Sequence, residues 1–341
     1  MKISFLVTYY QQKQYVDESI NSILNLKKPP EWELLIGDDG SADGTAEKVR
    51  EYVNRDPEHI RLFVMDRDPQ QKYHAVERAS LNRLNLLRHA SGGCYCLLDG
   101  DDFYLDPDFV LQAVSLLESH PEVSVIAYDT WMYREGQSRK APSRQASRPA
   151  LVPGSRYLRW QYTSAGACVI RNSHTPEELE RLSSLGTFDD NDIVLSALAR
   201  GEMLRIRRPV FAYRQTEGSV YSSMDPAERA ALNVAGMGAD LRIMGPKWEK
   251  DLLARCATAV WMAWFLRDHL EERIDPFRYR HYLRLCQRAG FVQGEALLRW
   301  PSLGAAERQK TRQWVYRAGR ESPLRVAYAW ILTRRGGSKH E

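Results

Sequence analysis

The chain has 341 residues, 43% of them apolar, and a formal net charge of +4. That length exceeds one average domain and that apolar share can fill a sizeable core, which excludes a wholly disordered chain. No stretch approaches the roughly 20 consecutive apolar residues of a spanning helix; the longest candidate, residues 256–266, runs into Arg267 and Asp268.

The first 130 residues alternate as an α/β domain does. Residues 3–8 form a short apolar run suited to a buried parallel strand. Residues 15–26 then carry apolar side chains at helical spacing (Tyr15, Val16, Ile20, Ile23, Leu24) until Pro29-Pro30 stops them. A second strand over 32–36 ends at Gly37-Asp38-Asp39-Gly40-Ser41, and Asp43-Gly44-Thr45 leads into a helix over 46–54. Residues 60–65 read as a third strand and 76–90 as a helix broken by Gly92-Gly93. A fourth strand over 95–98 ends at Asp99-Gly100-Asp101-Asp102; a helix over 107–119 and a strand over 123–128 follow. Residues 135–156, rich in Arg, Ser, Pro and Gln, read as a mobile loop or a partly disordered insert. Beyond them come helices over 178–184 and 190–200 and a strand over 204–213. From about residue 225 the pattern is helical, with Pro246, Pro276, Pro301 and Pro323 as punctuation. The tryptophans there, at 248, 261, 264, 300, 314 and 330, are expected in helix cores.

Two acidic clusters stand at strand ends, Asp38-Asp39 and Asp99-Gly100-Asp101-Asp102. Open α/β sheets bind ligands beyond the carboxyl ends of their strands. Bunched carboxylates repel unless a cation or hydrogen-bond donors compensate them. Hard ions such as Mg²⁺ or Mn²⁺ take carboxylate and phosphate oxygens, and a nucleotide diphosphate needs such an ion as it leaves. Either cluster alone could be an acidic turn or a helix cap. No P-loop and no G-x-G-x-x-G is present, so a nucleotide site here has to be of another kind.

The chain resembles the family 2 glycosyltransferases of the GT-A fold. The matching residues are 5–10 (FLVTYY), 36–41 (IGDDGS) with Asp43-Gly44-Thr45, 98–102 (LDGDD) with Pro107, and 189–192 (DDND) with Gly201. They cover roughly residues 1–220, in the family's order. The resemblance implies a mostly parallel central sheet flanked by helices in a GT-A domain over 1–222, followed by a helical, basic region over 223–341. It implies an inverting, metal-dependent transfer of a sugar from a nucleotide-sugar, usually UDP-linked, to an acceptor hydroxyl. Thr8, Tyr10, Asp39 and Asp99 would hold the donor nucleotide, and Asp101, or Asp102 in the other register, the Mn²⁺ or Mg²⁺. Asp190 would be the catalytic base, although the family's usual Glu-Asp is Asp189-Asp190 here. Asn82, Arg83 and Asn85 lie where the family carries an Arg-Asn pair that seats the donor. Arg214, in Tyr213-Arg214-Gln215 with Gly218-Ser219, is a candidate phosphate contact. Trp160, with Gln161 and 164–167, is a candidate acceptor contact.

Charge is uneven: residues 241–341 hold 20 Lys/Arg against 10 Asp/Glu, the rest 28 against 34. A basic tail on an acidic body suits an anionic partner, a membrane face or a lipid-linked acceptor. The five cysteines are scattered, without disulfide or zinc spacing, and the short apolar start lacks a signal-peptide core, so a cytoplasmic protein, peripheral at most on the inner membrane face, is expected. Two rivals stand beside the transferase reading. A nucleotidyltransferase would need a Gly-bearing loop after the first strand, and residues 7–14 hold no Gly. A non-catalytic RNA-binding module using the basic tail would leave the acidic clusters without a role, and no nucleic-acid partner is expected.

Overall fold

The computed structural model describes residues 1–136, 147–160, 163–216 and 224–335. Two compact units divide the chain: Met1–Gly154, Tyr162–Ser183 and Phe188–Glu217 form the first, and Ser155–Gln161, Ser184–Thr187 and Gly218–Glu341 the second.

The first unit is built on one sheet. Strands β1 (Ile3–Tyr9), β2 (Trp32–Asp38), β3 (Ile60–Val64) and β4 (Cys94–Asp99) pair in parallel in the order β3-β2-β1-β4. Helices α1 (Val16–Leu24), α2 (Thr45–Arg55) and α3 (Ala75–His89) connect them. Phe5, Leu6, Val7, Leu34, Leu35 and Ile36 are fully buried, as near-continuous apolar runs in a sheet covered on both faces should be. The sheet then turns mixed. After β5 (Phe103–Tyr104) and α4 (Phe109–Ser119) come β6 (Val123–Tyr133), β7 (Ala150–Val152), α5 (Gly154–Trp160), β8 (Cys168–Arg171), α6 (Pro176–Leu185), α7 (Asp190–Leu198) and β9 (Glu202–Arg214). Strand β8 lies antiparallel between β4 and β6, β9 runs parallel to β6, and β5 and β7 both pair antiparallel with β9.

The expected elements of the parallel half are present to within one or two residues. Part of the segment expected to be loose is regular: Ala150–Val152 is a strand on β9, and α5 begins at Gly154. Residues 137–146 lie outside the described residues.

In the second unit, α8 (Pro226–Met244), α9 (Glu249–Leu266), α10 (Leu270–Arg273), α11 (Pro276–Ala289), α12 (Val292–Leu298), α13 (Ala305–Glu321) and α14 (Pro323–Arg335) make a helical array. Its core includes Trp264 edge-on to Trp300, and Trp314 edge-on to Phe291. Trp261, Trp264, Trp300 and Trp314 are buried as expected. Trp248 is only partly buried and Trp330 is 47% exposed, which corrects the core expectation for both.

Candidate active site

The register of three strands brings the acidic clusters together. Tyr9 pairs with Asp38 and Thr8 with Asp99, so β1, β2 and β4 finish at one level. Strand β1 also holds both acidic turns through its last carbonyls: Asp39 N–H donates to the Tyr9 carbonyl at 2.9 Å, and Gly100 N–H to that of Thr8 at 2.8 Å. Two glycines are forced by this geometry. Gly40 sits at φ +67°, and a Cβ there would lie 2.7 Å from the Met65 carbonyl oxygen. At Gly100 a Cβ would lie 2.0 Å from the Tyr9 ring, so that middle residue must be small for the turn to close on β1.

Asp39 is 4% exposed and clasped by two arginines. Arg67 Nη2 donates to its Oδ2 at 2.5 Å and Arg78 Nε to its Oδ1 at 2.6 Å. Arg67 lies over the Tyr10 ring at 4.0 Å, and both guanidiniums approach Tyr73, at 5.2 and 4.8 Å. Tyr10 itself is 44% exposed at the mouth of the site. Sequence reasoning missed Arg67 and Arg78. Nothing in the sequence marks them among 48 Lys and Arg residues.

Asp99 accepts from Thr8 Oγ1 at 3.1 Å and from Arg83 Nη2 at 2.9 and 3.1 Å. The same guanidinium lies 3.4 Å from Asp190. Arg83 therefore ties the end of β4 to the start of α7. Its neighbour Asn82 is buried and donates to the Gly37 carbonyl at 3.0 Å, pinning the end of β2. Asn85 offers its carbonyl to the His89 ring within α3.

Asp190 is the first residue of α7 and half-buried. Burial pushes its pKa up; Arg83 opposes this, while Asp99 and Asp189 add to it, leaving it at about 6. Asp189 precedes it as the helix cap, accepting the N–H groups of Asn191 and Asp192 at 2.8 and 3.0 Å, while Asp192 accepts the N–H of Asp189 at 3.0 Å. This reciprocal box gives Asp189 a capping role that its short side chain suits.

The two candidate metal ligands differ in setting. Burial and the Asp99 charge push the Asp101 pKa up to about 6, only partly opposed by a backbone N–H, the Arg214 charge and a hydrogen bond from Gln12. Asp102 is 3% exposed and accepts the Arg214 N–H at 2.7 Å, so its carboxylate serves the turn's attachment to β9. Arg214 is likewise enclosed, its side chain 2% exposed. It donates from Nε to the Asp101 carbonyl at 2.7 Å, pairs with Glu135 at 2.6 Å and with Glu18, and lies over the rings of Tyr15, Phe103 and Tyr133. With its donors engaged, Arg214 holds the acidic turn rather than presenting a free cation to a phosphate. Trp160 closes α5 in the second unit, while Gln161, Gly218 and Ser219 lie outside the described residues.

The model of the family described as glycosyl transferase family 2 matches residues 4–175. The chain belongs to that family. The putative glycosyltransferase EpsE of Bacillus subtilis is 31% identical over 134 residues, covering 39% of this chain and 45% of that one. The putative teichuronic acid biosynthesis glycosyltransferase TuaG of the same organism is 25% identical over 126 residues, 37% of this chain and 46% of that one. The match thus spans less than half the length of these curated relatives. Among solved structures, TarS residues 1–349 of S. aureus, crystallised in complex with UDP, aligns over all of this chain and 93% of its own with a TM-score of 0.57 at 14% identity. At that identity the likeness is one of fold, and the fold is the expected GT-A arrangement.

Proposed function

We propose that the chain is an inverting glycosyltransferase that moves a sugar from a nucleotide-diphosphate sugar, UDP-linked, to an acceptor hydroxyl in bacterial surface polysaccharide or glycoconjugate synthesis. The observation that carries this reading is the meeting of Asp39, Asp99, Asp101 and Asp190 around the ends of β1, β2 and β4, with Arg83 joining Asp99 to Asp190. Relatives named for polysaccharide work support the acceptor class, among them the poly-β-1,6-N-acetyl-D-glucosamine synthase of Staphylococcus epidermidis, 29% identical over 126 residues. TarS has also been crystallised with UDP-GlcNAc, which supports a uridine donor.

In this reading Thr8, Tyr10, Asp39 and Asp99 seat the nucleotide. The Asp190 carboxylate takes the proton of the acceptor hydroxyl as its oxygen attacks the anomeric carbon. The bond from that carbon to the diphosphate breaks on the opposite face, and no enzyme-bound sugar forms.

Asp101 fits a hard divalent ion. Burial and Asp99 leave its charge only partly offset by Arg214 and Gln12, and Mg²⁺-like ions commonly take only one or two protein carboxylates with substrate phosphates completing the shell. Among the described residues no group of three His, Cys, Asp or Glu side chains is placed to hold a metal unaided, so diphosphate oxygens would supply the rest. When bound, Mn²⁺ or Mg²⁺ neutralises the departing diphosphate. Partners on this reading are the nucleotide-sugar and a glycan or lipid-linked acceptor, with peripheral contact at the inner membrane face through the basic C-terminal region.

A panel of nucleotide sugars screened for acceptor-free hydrolysis tests the donor. Turnover of one UDP-sugar is expected, abolished by chelator and restored by Mn²⁺ or Mg²⁺. Full activity of Asp101→Ala in chelator overturns the metal assignment.

A further inference from the structure

A concavity of about 660 Å³ opens in the first unit, lined by Trp131, Met132, Ser164, Arg205, Arg207 and Tyr213 among others. The β6–β9 pairing slips on both sides of Asp129, which lies opposite Pro209. Bulges of this kind re-aim side chains and recur beside active sites.

The charges in the cleft do not cancel. Arg205 pairs with Asp129 at 3.0 Å through Nη2, but its buried Nε has no acceptor among the described residues. Arg207 meets the rest of the unit only through its backbone, which bonds Ser147; its guanidinium has no partner among the described residues. Two arginines therefore face one carboxylate, with donors left over. A concave surface of one sign concentrates ions of the other, and guanidinium forks match phosphate and carboxylate oxygens. Trp131 and Tyr213 add aromatic surface to the same lining. Ser164 leads into the short turn Ala165–Ala167, which packs against α7, the helix that begins at Asp190. The cleft and the candidate base thus border the same helix.

We propose that this cleft binds an acceptor glycan that bears an oxyanion, a phosphate or a carboxylate, with Arg205 and Arg207 holding the charge and Trp131 flanking the sugar. The inference rests on the transferase reading for the word acceptor, and on the cleft alone for the charge.

The test is ligand-observed saturation-transfer NMR on the full chain, with UDP and diamagnetic Mg²⁺ present to fill the donor site. Probes are glucose 1-phosphate, glucuronate and the neutral methyl glucoside. The charged sugars should bind and the neutral one much more weakly, the stronger of the charged pair identifying phosphate or carboxylate. Arg207→Ala should weaken the charged probe about tenfold, the scale of a lost charge-assisted hydrogen bond. Arg207→Lys should retain part of it, and Arg312→Ala in the second unit should change nothing. Equal binding of neutral and charged sugars, or undiminished binding by Arg207→Ala, overturns the proposal. Donor hydrolysis by the unaltered chain is scored separately: anion binding without donor turnover would sink the transferase reading alone, and donor turnover without anion binding would sink this inference alone.

Discussion

The protonation of Asp190 is set by burial, two carboxylates and one opposing guanidinium. Burial and two carboxylates raise its pKa, and the Arg83 guanidinium opposes them. A base must be unprotonated to accept, so kcat/KM should climb through an acid limb near pH 6. Arg83→Gln removes the lowering influence, and the limb should move upward, by one pH unit for about every 1.4 kcal/mol of interaction lost. A pH profile of kcat/KM for both proteins checks this, and an unmoved limb would show that Arg83 does not act on the base. The acids of this site were legible in the sequence because Asp-rich turns at strand ends have few neutral explanations when two of them share a sheet edge. Their arginines were not: Arg67 and Arg78 come from the loop after β3 and the first turn of α3, and only tertiary folding sets them on Asp39.

At the scale of elements, β1, β2 and β4 were readable because a parallel strand buried on both faces is a short unbroken apolar run. Strands β5, β7 and β8 were not, since two to four residues carry no periodicity and their places are set by pairing with β9, β6 and β4. Likewise Arg214 looked like a ligand in sequence and became the pin of an acidic turn, because Glu18 and Glu135 arrive from elements distant in the chain. The opposite end of the sheet has its own anchor in Glu33 near the start of β2, 5% exposed. Burial would raise its pKa, but hydrogen bonds from Ser4 and Ser91 and the charge of Lys2 outweigh that and hold it at about 2, against an ordinary 4.5. A depressed carboxylate stabilises the fold fully above its unfolded pKa and loses that contribution as pH falls through the folded one. The difference is worth about 3 kcal/mol. Glu33→Gln should therefore lower unfolding stability by up to about that amount at pH 7, and its gap from the parent chain should narrow between pH 4.5 and 2. Urea unfolding at pH 7 and pH 3 measures it; a pH-independent gap would mean that Glu33 acts by packing alone.

At the scale of the molecule, the uneven charge read from the sequence acquires a location. On α14, Leu324, Tyr328 and Ile331 are 79%, 55% and 40% exposed at i, i+4 and i+7, and the sequence of the helix holds no acid. No helix among the described residues is long and apolar enough to cross a membrane. An exposed apolar stripe in a region whose sequence is net basic suits the surface of an anionic bilayer, with about 1 kcal/mol from each basic residue close to it. The chain should co-sediment with phosphatidylglycerol vesicles and not with phosphatidylcholine, more weakly at high salt. Leu324→Glu with Ile331→Glu should release it. Binding to neither lipid, or equally to both, would leave α14 as a cap on the helical unit. The central claim, that Asp190 is the base of a transfer whose donor is held by other residues, is tested most directly by pairing two readouts on Asp190→Asn: titration calorimetry of the UDP-sugar with Mn²⁺, and the rate of sugar transfer. The account predicts donor affinity close to that of the unaltered chain and transfer lower by roughly 10² to 10⁴-fold; undiminished transfer, or loss of donor binding, would contradict it.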